Sequence, residues 1–321
     1  MLPVREIARC LQVGIRSFFL GANAASLRFW SQPRDAYRYW NTCLFLRDQM
    51  GSGGLEKKHV WEVFQHASKE TELHFPALPN SWICCDPSYL SDLVHLGFLC
   101  QAIQPRTVFE IGTSTGYSSL FLAANTSPDT KIWTLDLPTA SLDTTDGSLT
   151  LYDRQIVEEC HRKEPCFVGH PLGRKITRLY GDSGRFNFLP YRQSVDLFFV
   201  DGAHSYEYVR TDTLNALRCC HPGSAIAWHD YGRSGLSRDV TRWLKELSRS
   251  APVYVAHGSS LAFMSCDFDS DELARELDGE RAGPYQSIQR GPGSGGEQRQ
   301  VVMGSGNSRQ FQKKQEIGCR S

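Results

Sequence analysis

The sequence lacks a hydrophobic run long enough to cross a membrane. A membrane-spanning helix needs ~18 consecutive apolar residues. The most apolar stretch, Leu11 to Trp30, is interrupted by Arg16, Asn23 and Arg28. We therefore expect no membrane span.

An excess of charge of either sign is also missing. The 321 residues contain 35 Lys and Arg against 35 Asp and Glu, so that the formal net charge is zero. A protein that binds nucleic acid by neutralising phosphates needs a net basic surface, and we therefore expect no nucleic-acid partner. Hydrophobic residues make up 40% of the chain, which is enough for a sizeable core.

The spacing of cysteines excludes two further classes of protein. The chain has 11 cysteines, an odd number, and no C-x-x-C pair. The sequence therefore shows neither the usual ligand spacing of a zinc site nor a disulfide framework. Scattered cysteines in a chain of this length are typical of reduced, buried side chains, and they predict a cytoplasmic location.

The two ends of the chain differ in composition from its middle. Residues 1–80 predict a helical N-terminal extension, and residues 1–34 contain five arginines with Glu6 as the one acid. That composition fits a transit peptide, an interfacial helix, a helix docked on the domain or a frayed end, and we favour the last two. Gly, Gln and Ser make up about half of residues 279–321, which predicts a disordered tail.

Residues 81–270 alternate short apolar runs with amphipathic segments and predict one α/β domain. The predicted strands are 107–111, 131–137, 176–180, 195–200, 224–228, 253–256 and 261–266, and the predicted helices are 91–103, 117–124, 152–161, 206–220 and 240–247. Strands that alternate with helices imply right-handed crossovers. We therefore expect a Rossmann-like, doubly wound, mostly parallel seven-stranded sheet, with 261–266 as an antiparallel C-terminal edge strand.

The first predicted strand ends in a glycine-rich turn. Gly112 and Gly116 are spaced so that the backbone can pass close to a ligand. The turn lacks the middle glycine of the dinucleotide fingerprint. Glu110 precedes the turn, and a carboxylate there repels a pyrophosphate but attracts an ammonium group. These features favour a zwitterionic nucleoside over a nicotinamide dinucleotide.

Acidic residues follow the next two strands. Ligands of open parallel sheets bind at the carboxyl ends of the strands. Asp136 is placed to accept hydrogen bonds from two ribose hydroxyls, and Asp182 and Ser183 are placed to meet an adenine edge. Each acid alone also fits a helix N-cap, but their common position at successive strand ends favours a ligand site.

The fourth and fifth strands end in residues suited to a metal ion. Asp201, His229 and Asp230 offer two carboxylates and one imidazole. This set suits Mg²⁺, and the histidine leaves Mn²⁺, Fe²⁺ or Zn²⁺ open. His204 has the pKa range of a general base; the alternative is a histidine on a surface loop.

Taken together, residues 107–231 resemble class I S-adenosylmethionine-dependent methyltransferases. More narrowly, they resemble the metal-dependent O-methyltransferases of the catechol and macrocin types. The turn at 110–118 (EIGTSTGYS) is similar to the methionine-binding loop of that group. The run at 195–207 (VDLFFVDGAHSYE) and the Pro222-Gly223 turn leading to Trp228-His229-Asp230 are similar to its fourth and fifth motifs.

The resemblance implies a role for each matching residue. The methionine part of S-adenosylmethionine would be held by Glu110, Gly112, Thr113, Gly116 and Ser118. Asp136 would bind the ribose, and Asp182 with Ser183 the adenine. Asp201 and Asp230 would bind the metal, with ligation by His229 left open because the catechol enzymes have Asp-Asn at that place.

The implied reaction is metal-assisted O-methylation of a small hydroxylated molecule. His204 would be the general base, at a position where the catechol enzymes have lysine and the macrocin-type enzymes histidine. The acceptor class (sugar, polyol or phenol) and homo-oligomer formation stay open. The alternatives are a relative that does other chemistry, a non-catalytic binding protein and, disfavoured by the missing glycine, a nicotinamide-dependent oxidoreductase.

Overall fold

The computed structural model describes residues 54–64, 70–77, 87–145, 148–160, 164–233 and 237–279. The interpretations of residues 1–53 and of the tail beyond Gly279 lie outside these ranges. The proposed domain boundaries stay a prediction. None of the helices in the described ranges is both long and apolar enough to span a membrane.

The described residues form one mixed sheet with helices on both faces. The strands are β1 (Glu56–Lys58), β2 (Thr107–Ile111), β3 (Lys131–Asp136), β4 (Ile176–Tyr180), β5 (Val195–Val200), β6 (Cys220–Trp228), β7 (Tyr254–Ala256) and β8 (Ala262–Cys266). The α-helices are α1 (Val60–Val63), α2 (Pro87–Ile103), α3 (Tyr117–Ala124), α4 (Leu151–Cys160), α5 (Tyr206–Cys219), α6 (Arg238–Leu247) and α7 (Ser270–Gly279). Short 3₁₀ turns lie at Thr139–Ser141, Pro171–Lys175 and Leu189–Tyr191.

The sheet order is β1-β7-β8-β6-β5-β2-β3-β4. All the pairings are parallel except those that β8 makes with β6 and β7. The predicted Rossmann-like, mostly parallel sheet is therefore confirmed, and its predicted strands are present with small shifts of their ends. The carboxyl ends of β2 to β6 meet at one edge of the sheet.

Alternation along the central strands divides the core into two layers. In β5, Phe198 and Val200 contact the cluster that contains α5, α6 and α7. Leu197 and Phe199 of the same strand contact the cluster formed with α2 and α3. Because both faces of the strand are buried from Leu197 onwards, residues 197–200 form an unbroken apolar run, which explains why the sequence predicts the strand well.

Two features of the predicted sheet are corrected. It has eight strands rather than seven, because Glu56–Lys58, in the predicted helical extension, pairs in parallel with β7. The antiparallel strand β8 is paired on both sides and is not an edge strand. The edges are β1 and β4. A three-residue polar strand held by backbone pairing has no apolar pattern by which the sequence could reveal it.

Candidate active site

The glycine-rich turn after β2 lies directly against the end of β5. Gly112 has φ +101°, and a Cβ at this position would lie 1.9 Å from the carbonyl oxygen of Asp201. The Asp201 amide donates to the carbonyl of Ile111 at 2.9 Å. Only glycine allows this approach, which places the predicted cofactor loop beside the predicted metal ligands.

Three predicted residues of the turn line a cavity of about 540 Å³: Gly112, Thr113 and Ser118. Glu110 and Gly116 do not line it. A Cβ on Gly116 would collide with Phe167 and Pro165, so this glycine makes room for the segment that covers the turn.

Glu110 lies beneath the turn and is fully buried. Its carboxylate accepts hydrogen bonds from Ser119 of α3 and, at 2.6 Å, from Thr134 of β3. Burial raises the pKa of Glu110 to about 7 despite these hydrogen bonds. The structure thus gives Glu110 contacts that support the turn, where the sequence predicted contact with a ligand's ammonium group.

The predicted nucleoside residues Asp136, Asp182 and Ser183 all line the same cavity. Asp136 forms an ion pair with Arg178 of β4 at 2.8 Å, and both side chains are largely buried. The Asp182 carboxylate accepts from the amide of Gly184 at 2.9 Å. The ends of β3 and β4 therefore present two carboxylates and a hydroxyl to one wall.

The predicted metal ligands form a compact group on the opposite side. Ligand atoms of Asp201, His229 and Asp230 lie within 4.8 Å of one another. His229 Nδ1 is 3.2 Å from Asp201 Oδ1 and 3.1 Å from Asp230 Oδ1. A third carboxylate, that of Asp92, lies 3.1 Å from Nε2. These approaches are at ion-pair distance but lack the alignment of hydrogen bonds, so neither nitrogen of this buried ring makes a hydrogen bond within the described residues.

The charges of His229 and Asp230 strongly stabilise each other. Burial disfavours the charged forms of His229 and Asp230, but the attraction between their opposite charges outweighs this cost. Asp230 and Asp201 raise the pKa of His229 well above its usual value. His229 and His204 in turn hold the pKa of Asp230 well below the ordinary range of a carboxyl group.

His204 lies between two carboxylates. Its Nδ1 is 2.5 Å from Asp153 Oδ1, and its Nε2 is 2.6 Å from Asp230 Oδ2. Burial favours the neutral ring, but hydrogen bonds to Asp153 and Asp230 raise the pKa of His204 to about 10. In this arrangement both nitrogens of His204 are engaged and the raised pKa favours the protonated ring at neutral pH, whereas the sequence predicts a general base.

Four residues of the site were missed by sequence reasoning: Tyr89, Asp92, Asp153 and Arg233. Asp153 also accepts from the amide and hydroxyl of Thr150, at 3.1 and 2.7 Å. In sequence this pair resembles the start of a helix, which conceals its second role beside His204. Arg233 lies 2.5 Å from Asp230 Oδ1 and follows the fifth motif by three residues.

Asp92 supports His229 from outside the cavity. It accepts from the amide and hydroxyl of Ser260 at 2.7 and 2.5 Å and from the amide of Leu261 at 3.1 Å. Its Oδ2 is 3.1 Å from His229 Nε2. A buried carboxylate on α2 therefore links the turn between β7 and β8 to the candidate metal ligands.

Residues 109–231 match the family model described as "Methyltransferase domain". This segment of the chain is therefore similar to a methyltransferase domain. Every predicted site residue, from Glu110 to Asp230, lies inside the matched segment.

Solved structures with similar folds include three methyltransferases. The O-methyltransferase TomG from Streptomyces achromogenes, solved with SAM, has 17% identity over 70% of this chain and 94% of its own, with a TM-score of 0.37. An O-methyltransferase from Bacillus cereus, solved with SAH, has 15% identity over 74% of this chain and 93% of its own, with a TM-score of 0.37. The SAH-bound methyltransferase PaMTH1 from Podospora anserina has 14% identity over 59% of this chain and 88% of its own, with a TM-score of 0.37. No curated protein matches the chain.

Proposed function

We propose that this methyltransferase domain transfers the methyl group of S-adenosylmethionine to a hydroxyl of a small acceptor, with help from a divalent cation. The observation that carries the proposal is the common cavity, which has nucleoside-type carboxylates on one wall and the Asp201, His229 and Asp230 cluster on the other. Its volume of about 540 Å³ is in the range of small-molecule sites.

The cofactor would lie across the ends of β2, β3 and β4. Gly112 and Thr113 face the place proposed for the methionine part, Asp136 the ribose, and Asp182 the adenine. Arg178 holds Asp136 in one orientation through the ion pair at 2.8 Å. A carboxylate fixed in this way can accept hydrogen bonds from two neighbouring hydroxyls without first losing conformational entropy.

The cation would be held by Asp201, Asp230 and His229. Both nitrogens of His229 are buried and unsatisfied within the described chain, and a bound cation would satisfy one of them. Carboxylates with one imidazole suit Mg²⁺ or Mn²⁺, with Fe²⁺ and Zn²⁺ as further candidates. When bound, such an ion lowers the pKa of a coordinated hydroxyl.

His204 would receive the acceptor's proton at Nε2, the nitrogen that now faces Asp230 at 2.6 Å. Asp153 would hold the ring through Nδ1 and stabilise the imidazolium. The role requires neutral His204 with its one proton on Nδ1, so the hydrogen bond to Asp230 must break and the Nε2 proton must first leave to solvent.

The acceptor would bind near α4, where the cavity wall is mainly apolar. Tyr152 lies edge-on to His204 with ring centroids 5.7 Å apart, and Leu149 and Ile156 extend this wall. A phenol, a sugar or another polyol can present a hydroxyl there. The proposal includes a small-molecule acceptor, a cytoplasmic location and no nucleic-acid partner.

Methyl transfer from labelled S-adenosylmethionine to a panel of phenols, sugars and polyols tests the proposal. We expect transfer that needs a divalent cation, falls by at least about 100-fold in Asp201→Ala and His204→Gln, and is unchanged in Asp239→Asn, a partly exposed acid of α6 that does not line the cavity. Cofactor binding should persist in His204→Gln. Full transfer in Asp201→Ala would contradict the metal site, and loss of cofactor binding in His204→Gln would make that residue structural.

A further inference from the structure

A second group of metal-binding side chains lies at the far edge of the sheet. β1 pairs with β7 so that Lys58 lies opposite Ala256. The residues that follow these two, His59 and His257, are therefore brought side by side. Glu62 joins them from α1, and ligand atoms of the three residues lie within 4.8 Å of one another.

Neighbouring groups hold these side chains in place. The His59 ring stacks on Trp61 with centroids 4.3 Å apart, and its other face meets the His257 ring at 4.4 Å with a tilt of 33°. Glu62 accepts from the amide of His59 at 2.5 Å through one carboxylate oxygen. The His257 carbonyl lies 3.0 Å from His95 Nε2, which fixes the turn that carries it.

One polar atom of this cluster is unsatisfied. His59 Nδ1 is buried and makes no well-aligned hydrogen bond within the described part of the chain, although the Glu62 amide approaches the His59 side chain as in a capping box. Buried polar atoms of side chains normally have a partner, and a bound ion would supply one for His59 Nδ1. Glu62 and His257 are exposed, so an ion can enter from solvent.

We propose that His59, Glu62 and His257 form a binding site for a divalent transition metal, with Zn²⁺ as the ion that fits best. Two imidazoles and one carboxylate are a donor set that Zn²⁺ accepts, with water in the fourth position, whereas Mg²⁺ prefers oxygen ligands. Tetrahedral Zn²⁺ needs ligand atoms about 3.3 Å apart. The exposed side chains of Glu62 and His257 can close the remaining gap by changing rotamer.

This site is distinct from the cluster in the cavity and joins two distant parts of the chain. The ion would tie β1 to the turn between β7 and β8. The same turn carries Ser260, which hydrogen-bonds to Asp92. An ion that binds only the folded arrangement stabilises it, by an amount that grows with the logarithm of the ion concentration above the dissociation constant, so Zn²⁺ should raise the melting temperature.

The test is calorimetric titration of Zn²⁺ into the metal-free full chain, with melting curves measured in parallel. Asp201→Ala/Asp230→Ala serves as the background that silences the cavity cluster. We expect this variant to keep one Zn²⁺ per chain, and His257→Gln or His59→Gln added to it to weaken that binding at least about tenfold. His74→Gln, at an exposed histidine outside the cluster, is the matched control.

The wild-type chain supplies a second measurement in case the double variant fails to fold. There His257→Gln should lower the number of bound Zn²⁺ ions by one and reduce the Zn²⁺-dependent rise in melting temperature, with an unchanged circular dichroism spectrum. The proposal is overturned if both histidine variants bind as much Zn²⁺ as His74→Gln, or if His74→Gln loses the ion equally.

Discussion

Replacing Gly112 with alanine should damage both the stability of the fold and the cofactor loop. The new Cβ would lie 1.9 Å from the carbonyl oxygen and 2.6 Å from the carbonyl carbon of Asp201. Relieving this collision requires the ends of β2 and β5 to separate by more than about 1 Å, since non-bonded heavy atoms approach to about 3.5 Å. Such a movement strains the 2.9 Å hydrogen bond from Asp201 to Ile111.

The loss of stability expected in Gly112→Ala has two parts. A side chain at positive φ costs roughly 1–2 kcal/mol, and overpacking with a backbone shift costs about 1–3 kcal/mol more. Gly223 is the matched control, because its φ of +91° is similar and no described atom lies within 4 Å of the position that a Cβ would take there. Gly223→Ala should therefore show the backbone part alone, and Gly112→Ala the sum of about 2–5 kcal/mol.

Thermal unfolding and S-adenosylmethionine titration measure the two consequences. At about 2–4 °C per kcal/mol for a domain of this size, Gly112→Ala should melt roughly 10 °C below the wild type, and Gly223→Ala about 3–6 °C below it. Only Gly112→Ala should weaken cofactor binding, by at least about tenfold, which is 1.4 kcal/mol. Equal melting of the two variants with unchanged binding would refute the argued contact between the loop and Asp201.

Three further predictions concern buried carboxylates and His204. In metal-free protein, His204 should make the wild type more stable than His204→Gln, because folding raises the pKa of this histidine from 6.5 to about 10. The stability difference should be full below pH 6.5 and should disappear as the pH rises through about 10. A difference that does not depend on pH would refute this. Glu110→Gln should become increasingly more stable than the wild type between pH 4.5 and about 7, since ionising the buried carboxyl disfavours folding, and melting curves at pH 4 and pH 8 decide it. Asp92→Asn should lower stability by about 1–3 kcal/mol and speed amide exchange at Leu261, whose amide donates to Asp92; unaltered exchange would contradict that role.

Sequence reasoning predicted the central sheet because its strands are buried on both faces. Runs such as Leu197–Val200 are continuously apolar, and the polar residues just after each strand then share one edge of the sheet. The same logic correctly brought Asp136, Asp182, Asp201 and Asp230 to one cavity. It could not find Glu56–Lys58, where exposed side chains carry no pattern.

The sequence alone is enough to predict the face of the sheet on which the Glu110 side chain lies. Phe109 and Ile111 belong to the core cluster on one face of the sheet, and alternation along the strand places Glu110 on the face covered by α3. Its partner Ser119 lies on that helix. The sequence does not reveal the role of Asp153 beside His204. Its pairing with Thr150 is that of a helix cap, and its contact with His204 depends on tertiary structure.

The central claim is that the cavity binds S-adenosylmethionine beside a divalent cation. Its most direct test is calorimetry of the full chain with S-adenosylmethionine, with and without Mg²⁺, and with NADH as the control ligand. The account predicts saturable binding of S-adenosylmethionine, a change in that binding when Mg²⁺ is added, and no binding of NADH. Absence of any heat with S-adenosylmethionine, or saturable binding of NADH, would contradict it.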